Sequence, residues 1–255
     1  MKFIAPILMV FILSGCMVSQ TPYTDRSRMM LISQDQEVKL GESAKNKILQ
    51  DVKLSNDKQK KASVQEVGER IAKASGMEYD WEFFLIEDDS VNAFALPGGK
   101  VFVNTGLFKV AKSDDDLAVV VGHEIAHVIA RHGAERMSMQ QAASVGGQIV
   151  GALVGTQLGS SQMALFNQAY GIGMNYGVML PYSRTQEYEA DEIGLILMSK
   201  AGYDPEAAVG FWQNMMNSKE KKGVPEFLST HPADKNRIES IKSSLEYAKS
   251  YKGKD

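Results

Sequence analysis

Cysteine is almost absent from this sequence, since Cys16 is the only one among 255 residues. A lone cysteine cannot form a disulfide within the chain, so the fold must be stabilised by a packed core and by any metal that it binds. Hydrophobic residues make up 44% of the chain, which is enough for a sizeable core. The length is that of one domain with short appendages.

An excess of positive charge is also missing. The chain has 28 Lys and Arg residues against 31 Asp and Glu residues, which gives a net charge of -3. Nucleic-acid-binding domains usually carry clustered Lys and Arg, so we expect no nucleic-acid partner. No run of like charge is long enough to predict an interaction tail.

A short apolar run follows Lys2 at the start of the chain. Residues 3–13 are too few to span a bilayer as a helix, and such a run after a basic residue is typical of a secretory signal peptide. The run ends in the letters LSGC, which resemble a bacterial lipobox. That resemblance implies a lipoprotein signal peptide over residues 1–15, cleaved before Cys16, which becomes the lipidated first residue. The alternative is a plain signal peptide in which Cys16 stands by chance.

The residue after Cys16 bears on the destination of the chain. In enterobacteria-like organisms an Asp at this point usually retains a lipoprotein at the inner membrane, and Met17 stands there instead. The resemblance therefore implies a lipid anchor in the bacterial outer membrane, with the folded domain facing the periplasm. Several acyl chains on Cys16 would be enough for stable anchoring. Residues 16–34 are largely polar, and we expect them to form a tether.

Apolar residues recur at helical spacing in much of the remaining chain. The clearest amphipathic helix runs from Ala62 to Ala74, and a second strong helix is predicted from Asp114 to Met137. Two short runs, Trp81 to Ile86 and Lys100 to Asn104, have the composition of strands. We therefore expect an α+β fold that is mainly α-helical, with a small β-sheet, in a single domain over residues 35–250.

Charge is absent again from Met137 to Ser183. Four glycines recur within this segment at a spacing of four, which places them on one helical ridge where another backbone can approach closely. Polar residues such as Gln148 and Gln157 interrupt the apolar run. The segment predicts either a transmembrane helix or, in the interpretation that we favour, a tightly packed or membrane-facing helix near the functional site.

The letters HEIAH, from His123 to His127, match the pattern HExxH. Residues four apart on a helix lie about 40° apart around its axis, so both imidazoles can face one metal ion. Glu124 lies slightly to one side, where it can hold an attacking water as general base without binding the metal. The alternative is a structural pair of histidines.

A catalytic zinc usually needs a third protein ligand. His132 comes nine residues after His123, which on one continuous helix places it about half a turn away, so we expect it to face away in a structural role. Glu187 and Asp191 are four apart on a predicted helix and share a face, while Glu189 points elsewhere. One carboxylate can bind zinc and the other can accept a hydrogen bond from a ligand imidazole, but geometry alone leaves their order open. The alternative is a solvated acidic helix face.

Four sequence segments together resemble one family. HEIAH, the later SRTQEYEAD, the upstream NAFALPGGKVFVNTGL and the downstream THPADKNRI resemble the HtpX/CAAX-prenyl-protease-type family of zinc metallopeptidases, of the gluzincin type, over about residues 60 to 245. With the lipobox, the chain is similar to the LoiP-like periplasmic lipoprotein branch. The resemblance implies a zincin-like core in which one zinc ion per chain is bound by His123, His127 and Glu187, with Asp191 orienting a histidine. Several clear membrane spans of the HtpX and CAAX branches are missing, so substrate choice does not transfer.

His231 is the only other histidine, and it lies in the THP letters of the downstream motif. The resemblance implies that this side chain approaches the metal, either as a catalytic oxyanion stabiliser or as an extra ligand in a latent form. The alternative is a structural role at the start of the next helix.

These features predict a zinc metalloendopeptidase that acts on protein or peptide substrates in the bacterial envelope. One rival is a non-enzymatic envelope chaperone or assembly factor with a structural metal, against which the intact Glu124 argues. A weaker rival is a zinc hydrolase of another bond. We also expect the strand from Lys100 to Asn104 to bind substrate by strand addition, provided that it forms a sheet edge. The oligomeric state is not indicated.

Overall fold

The computed structural model describes residues 18–142, 182–222 and 225–254. Cys16, the predicted signal peptide and most of the uncharged segment lie outside the described residues. In chain order the elements are β1 (Val18–Gln20), β2 (Ser27–Met29), α1 (Gln34–Asp51), α2 (Lys58–Ser75), β3 (Glu82–Ile86), β4 (Ala93–Leu96), β5 (Lys100–Asn104), a 3₁₀ helix (Thr105–Lys109), α3 (Asp114–Ile129), α4 (132–142), α5 (Arg184–Lys200), α6 (Ala207–Lys222), α7 (Glu226–Thr230) and α8 (Lys235–Lys249).

Helices dominate this list, so the predicted α+β, mainly helical fold is confirmed. Within the described ranges, none of the helices combines the length and the apolar character that a membrane crossing requires. The predicted helix from Asp114 to Met137 is two helices. Arg131 interrupts it with a φ of 50°, a left-handed conformation that a non-glycine residue adopts only when other contacts fix it. The Arg131 side chain is fixed by Glu37 Oε2 at 2.7 Å and by the carbonyl oxygen of Ile32 at 2.9 Å.

The three-stranded sheet has the order β3-β5-β4. The central strand β5 is parallel to β3 and antiparallel to β4, and Phe102 stacks between Phe84 and Phe94 with both ring centroids 4.8 Å away. The prediction that Lys100–Asn104 binds substrate by strand addition is therefore wrong, because both sides of β5 are already paired. Among the described residues β4 is the edge strand that lies against α3.

The helix α3 is the centre of the core. Ser113 begins it with a capping box in which its hydroxyl accepts from the amide of Asp116, and the acidic first turn complements the helix dipole. From Leu117 onward every residue of α3 is buried, as expected of a helix that is apolar on all sides. A Cβ at Gly194 would lie 3.1 Å from the backbone nitrogen of His123, so this glycine lets α5 approach α3 closely at the point where His123 begins the HEIAH letters.

The residues expected to form a tether are folded from Val18 onward. The strands β1 and β2 pair as an antiparallel hairpin, with Val18 opposite Met29. Arg28 in β2 is buried and donates a hydrogen bond to the carbonyl oxygen of Ala130, the residue that ends α3. The amide of Leu31 donates to Ser138 Oγ in α4 at 2.8 Å. The hairpin of residues 18–29 therefore lies against the C-terminal end of α3, the helix that carries the HEIAH letters.

Candidate metal centre

Four side chains converge at the middle of α3. His123 and His127 from α3, Glu187 from α5 and His231 after α7 each offer one ligand atom, and these atoms all lie within 4.8 Å of one another. The Nε2 atoms of His123 and His127 are 3.1 Å apart. All four residues are buried, with exposed fractions between 1% and 4%. The structure thus brings together the two histidines of the HExxH pattern, the downstream carboxylate of Glu187 and His231.

The helix α5 places the carboxylates of Glu187 and Asp191 at different distances from the cluster of ligand atoms. Glu187 Oε1 lies 3.0 Å from His231 Nδ1 and 3.6 Å from His127 Nε2, among the ring nitrogens. Asp191 Oδ1 lies 3.0 Å from His123 Nδ1, on the far side of that ring. Glu187 is therefore positioned to bind a metal together with the histidines. Asp191 is positioned to accept a hydrogen bond from His123 and to fix the orientation of its ring.

The donors of this cluster fit a cation. Glu187 Oε2 and Glu124 Oε1 are buried without a hydrogen-bond partner. Arg237 Nη1 is 2.7 Å from Glu187 Oε2, but the contact is an ion pair without hydrogen-bond angles. A buried carboxylate oxygen that lacks a hydrogen bond is costly, and a bound cation would satisfy it. Imidazole nitrogens combined with one carboxylate are the ligand set of a catalytic zinc ion.

The charges in the centre are strongly perturbed. Burial favours the neutral form of His123, yet hydrogen bonds with Asp191 and Glu187 raise its pKa to about 9. Burial also opposes ionisation of Glu187, but Arg237 and His231 hold the pKa of that carboxyl well below its usual range. Burial and the neighbouring His123 lower the pKa of His127 well below its usual value. Glu187 and His127 are therefore in the protonation states that bind a metal, whereas the carboxylates around His123 favour a positive charge at that position, which a bound cation would supply in place of the proton.

Glu124 lies beside the cluster and not within it. Its Oε1 is 3.2 Å from His231 Nε2, and the backbone N–H of Ala95 in β4 is near enough to favour the ionised form of the carboxyl. Burial raises the pKa of the Glu124 carboxyl, in spite of the nearby imidazoles of His231 and His123. A carboxyl group with a raised pKa, held next to a metal cluster and next to an edge strand, is suited to proton transfer.

Arg237 lies inside the site, although no motif in the sequence predicts a role for it. Arg237 comes from α8, is 2% exposed, and donates from Nε to Asp191 Oδ2 at 2.6 Å and from Nη2 to Asp191 Oδ1 at 2.8 Å. Its guanidinium lies 3.9 Å from the ring centroid of Trp212. The signal was present, because Arg237 is the arginine of the letters THPADKNRI. Its pairing with Asp191 could not be read from the sequence.

His132 is outside the ligand group, as predicted, but it lies beside the centre and not half a turn away from it. His132 Nδ1 lies 2.8 Å from His127 Nδ1, and the ring is completely buried. The prediction assumed one continuous helix. The left-handed conformation of Arg131 instead changes the direction of the chain, so that His132 lies next to Nδ1 of His127. Glu189 is likewise no solvated side chain, since its Oε2 lies 2.8 Å from His132 Nε2 and the residue is buried.

Comparison with known proteins places this centre in a family. The model of peptidase family M48 matches residues 58–245. The chain is 38% identical over 229 residues to the mitochondrial metalloendopeptidase OMA1 of Schizosaccharomyces pombe, which covers 88% of the chain and 65% of that protein. It is 31% identical over 233 residues to human metalloendopeptidase OMA1, covering 87% of the chain and 44% of that protein. It is also 31% identical over 215 residues to the beta-barrel assembly-enhancing protease of Escherichia coli K12, covering 81% of the chain and 43% of that protein.

The family match extends through the whole described centre, and the chain spans less than two thirds of the length of each of these three relatives. The relatives support the family and do not single out an HtpX-type, CAAX-type or LoiP-like branch. The metallopeptidases of this family use zinc, so the buried cluster agrees with the expected cofactor of one zinc ion. The chain belongs to peptidase family M48.

Proposed function

We propose that this protein is a zinc-dependent endopeptidase. One observation carries the proposal: four buried ligand atoms lie within 4.8 Å of one another, and Glu124 stands outside this group with Oε1 3.2 Å from His231 Nε2. A structural metal site is closed by its ligands and has no use for an adjacent buried carboxylate. The same observation disfavours a non-enzymatic envelope chaperone or assembly factor with a structural metal.

The residues divide into ligands and a proton carrier. His123, His127 and Glu187 would hold the zinc ion, which when bound polarises the scissile carbonyl and lowers the pKa of water. Glu124 accepts the proton of the attacking water and then delivers it to the leaving amine. Its raised pKa brings the carboxyl closer to the working pH, so that one group can serve as base and then as acid.

The edge strand β4 is the surface that we assign to the peptide substrate. The backbone N–H of Ala95 in β4 is near the carboxylate of Glu124, so a peptide paired with β4 would run past the general base. An extended peptide gains backbone hydrogen bonds along such an edge. All four residues of β4 are buried, so the peptide can pair only after the site has opened.

We further propose that the described state is a closed resting state. His231 Nδ1 faces the ligand atoms of His123 and Glu187, and its Nε2 faces Glu124. With His231 as a fourth protein ligand, a tetrahedral zinc would have no position left for water. Movement of His231 would free one metal position and the carboxylate of Glu124 at the same time. His231 directly follows the short helix α7, which makes it the ligand that can move with the least rearrangement.

We assign the protein to the bacterial outer membrane, anchored through a lipid on Cys16 and facing the periplasm. The letters LSGC and the absence of Asp at position 17 support this assignment. One relative, the beta-barrel assembly-enhancing protease, is bacterial. Misfolded or membrane-associated envelope proteins are the substrates that fit such an anchor.

A cleavage assay tests the activity. Purified protein and its His231→Ala variant are incubated with casein and with labelled peptides, with and without a chelator, and zinc is then restored. We expect cleavage within the peptide chain that the chelator abolishes and zinc restores. No peptide cleavage by either zinc-loaded protein would contradict the proposal. Hydrolysis of a different bond by the same preparation would instead indicate a non-peptide zinc hydrolase.

A further inference from the structure

The hairpin of residues 18–29 reaches Glu189 on α5. Arg26 Nε donates to Glu189 Oε2 at 2.8 Å, and the hydroxyl of Thr24 donates to Glu189 Oε1. The same guanidinium forms a two-point pair with Glu135 of α4, at 2.6 and 2.8 Å. Both carboxylates are buried, while a quarter of the Arg26 side chain is exposed. Arg26 is therefore the cation that holds two buried carboxylates of two different helices together.

Glu189 continues this contact towards the metal centre. Its Oε2 lies 2.8 Å from His132 Nε2, and His132 Nδ1 lies 2.8 Å from His127 Nδ1. An unbroken chain of short polar contacts thus leads from Arg26 through Glu189 and His132 to the outer nitrogen of His127.

The protons along this chain follow from the role of His127. If His127 binds the metal through Nε2, its Nδ1 carries the proton and donates to His132 Nδ1. His132 must then carry its own proton on Nε2, where its partner among the described residues is the carboxylate of Glu189. Glu189 accepts this hydrogen bond, and the guanidinium of Arg26 holds the same carboxylate from its other side.

We propose that Arg26 is a positioning residue for the metal ligand His127, acting through Glu189 and His132. The inference rests on the proposed function to the extent that His127 binds the metal. In this proposal the hairpin of residues 18–29 helps to orient a metal ligand, because Arg26 belongs to that hairpin. Residues 18–29 would then connect the predicted anchor at Cys16 directly with one zinc ligand.

The two histidine ligands differ in how they are supported. The carboxylate of Asp191 contacts His123 directly, at 3.0 Å from Nδ1. The carboxylate that supports His127 lies one imidazole further out, so the orientation of His127 depends on His132 and on Arg26, which holds Glu189 in place. Loss of Arg26 removes the guanidinium that joins Glu189 to Glu135, so Glu189 is free to shift away from His132 and the chain breaks at its outer end.

The first test measures metal affinity. Zinc is titrated into the purified full chain against a chromophoric chelator, for the wild type, Arg26→Ala, Arg26→Lys and the matched control Arg28→Ala. Arg28 lies in the same hairpin and donates hydrogen bonds to Ser19 and to the carbonyl oxygens of Gln20 and Ala130, and within the described residues no hydrogen bond or ion pair joins it to Glu189. We expect Arg26→Ala to lose about 10-fold in zinc affinity, the lower end of the usual loss for a group that orients a ligand. Arg26→Lys should recover part of this loss, while Arg28→Ala should bind zinc like the wild type.

The second test asks whether Arg26 acts through His132. A double-mutant cycle combines Arg26→Ala with His132→Leu and reads zinc affinity together with the visible absorption of the cobalt-substituted protein. If the relay is real, Arg26→Ala shifts the cobalt spectrum in the wild-type background and adds little once His132 is replaced. A thermal melt of each metal-free variant confirms that it is folded.

Three results would overturn the inference: wild-type zinc affinity in Arg26→Ala, an equal loss in Arg28→Ala, or independent effects of Arg26→Ala and His132→Leu. Failure of the proposed function looks different, because the wild type itself would then bind no zinc at this site or, when loaded, cleave no peptide. A wild type that binds zinc but shows no relay coupling contradicts only the role of Arg26.

Discussion

His231 Nδ1 lies 3.1 Å from His123 Nε2, although 108 positions separate the two residues in the sequence. The ring of His231 is held there by stacking on Phe227, at 4.5 Å between centroids, and its other nitrogen faces Glu124. His231 thus occupies both the open side of the metal cluster and the side of the general base on which water would have to lie. This contact is the one on which the proposed closed state depends.

Replacement of His231 by Ala should raise the basal cleavage of short peptides several-fold, because it frees the fourth metal position and the Glu124 carboxylate. Zinc should be retained, since His123, His127 and Glu187 remain. The measurement is peptide turnover per bound zinc for the wild type and His231→Ala. A clear fall in turnover with zinc still bound would instead identify His231 as an oxyanion stabiliser. Loss of both zinc and fold would assign it a structural role.

The sequence was sufficient to predict the inner part of the site. His123 and His127 are four apart in a helix that is apolar on all sides, and such a helix has to be buried. Glu187 and Asp191 share one helix face, but geometry left their order open. Only the family resemblance favoured Glu187 as the ligand.

The surroundings of the site could not be predicted, because they depend on contacts between distant segments. Arg131 adopts its left-handed conformation through Glu37 and Ile32, which lie in and before α1, and local propensity gives no sign of this break. The reversal of His132 follows from that break. The pairing of Arg237 with Asp191 likewise depends on how α8 packs on α5.

Replacement of Glu124 by Gln should separate proton transfer from metal binding. The amide is isosteric and Glu124 is outside the ligand group, so zinc content and thermal stability should stay at the wild-type level. Peptide cleavage should fall by about 100-fold or more, which is the usual cost of losing a positioned proton carrier. The measurement is the zinc content and the rate of peptide cleavage of the same preparation, for the wild type and for Glu124→Gln. Undiminished proteolysis by Glu124→Gln would refute the proposed role.

Replacement of Cys16 by Ser should release the protein from the membrane. A lipid anchor requires the thiol of Cys16, and none of the helices described in residues 18–142, 182–222 and 225–254 could cross a bilayer. Lipid labelling in cells and membrane fractionation of both forms measure the effect. The labelled band should disappear and the protein should become soluble in the periplasmic fraction. Tight membrane association of Cys16→Ser would show that another segment anchors the chain.

Replacement of the carboxylates of Glu187, Asp191 and Glu189 in α5 should lower zinc affinity by successively smaller amounts. Glu187 lies among the ring nitrogens, Asp191 contacts His123 directly, and Glu189 reaches His127 only through His132. Glu187→Ala should therefore lose zinc at ordinary concentrations. Asp191→Asn should lose about 10–100-fold in zinc affinity, as expected for a group that orients a ligand, and should recover partly with added zinc. Glu189→Gln should show a smaller loss of the same kind, whereas helical geometry alone predicted a variant close to the wild type.

A zinc titration of the three variants measures this order, and Glu192→Gln is the matched control. Glu192 belongs to the same helix and lies outside the ligand group, so its replacement should leave zinc affinity unchanged. Asp191→Asn keeps an oxygen that can accept from His123 or Arg237, which limits the damage caused by removing the negative charge that pairs with Arg237. If Asp191→Asn were the variant without zinc while Glu187→Ala retained it, the ligand assignment would be reversed. If Glu189→Gln matched the control, Glu189 would have no part in holding His127, and the carboxylate on the outer side of that ligand would serve only to bind the hairpin.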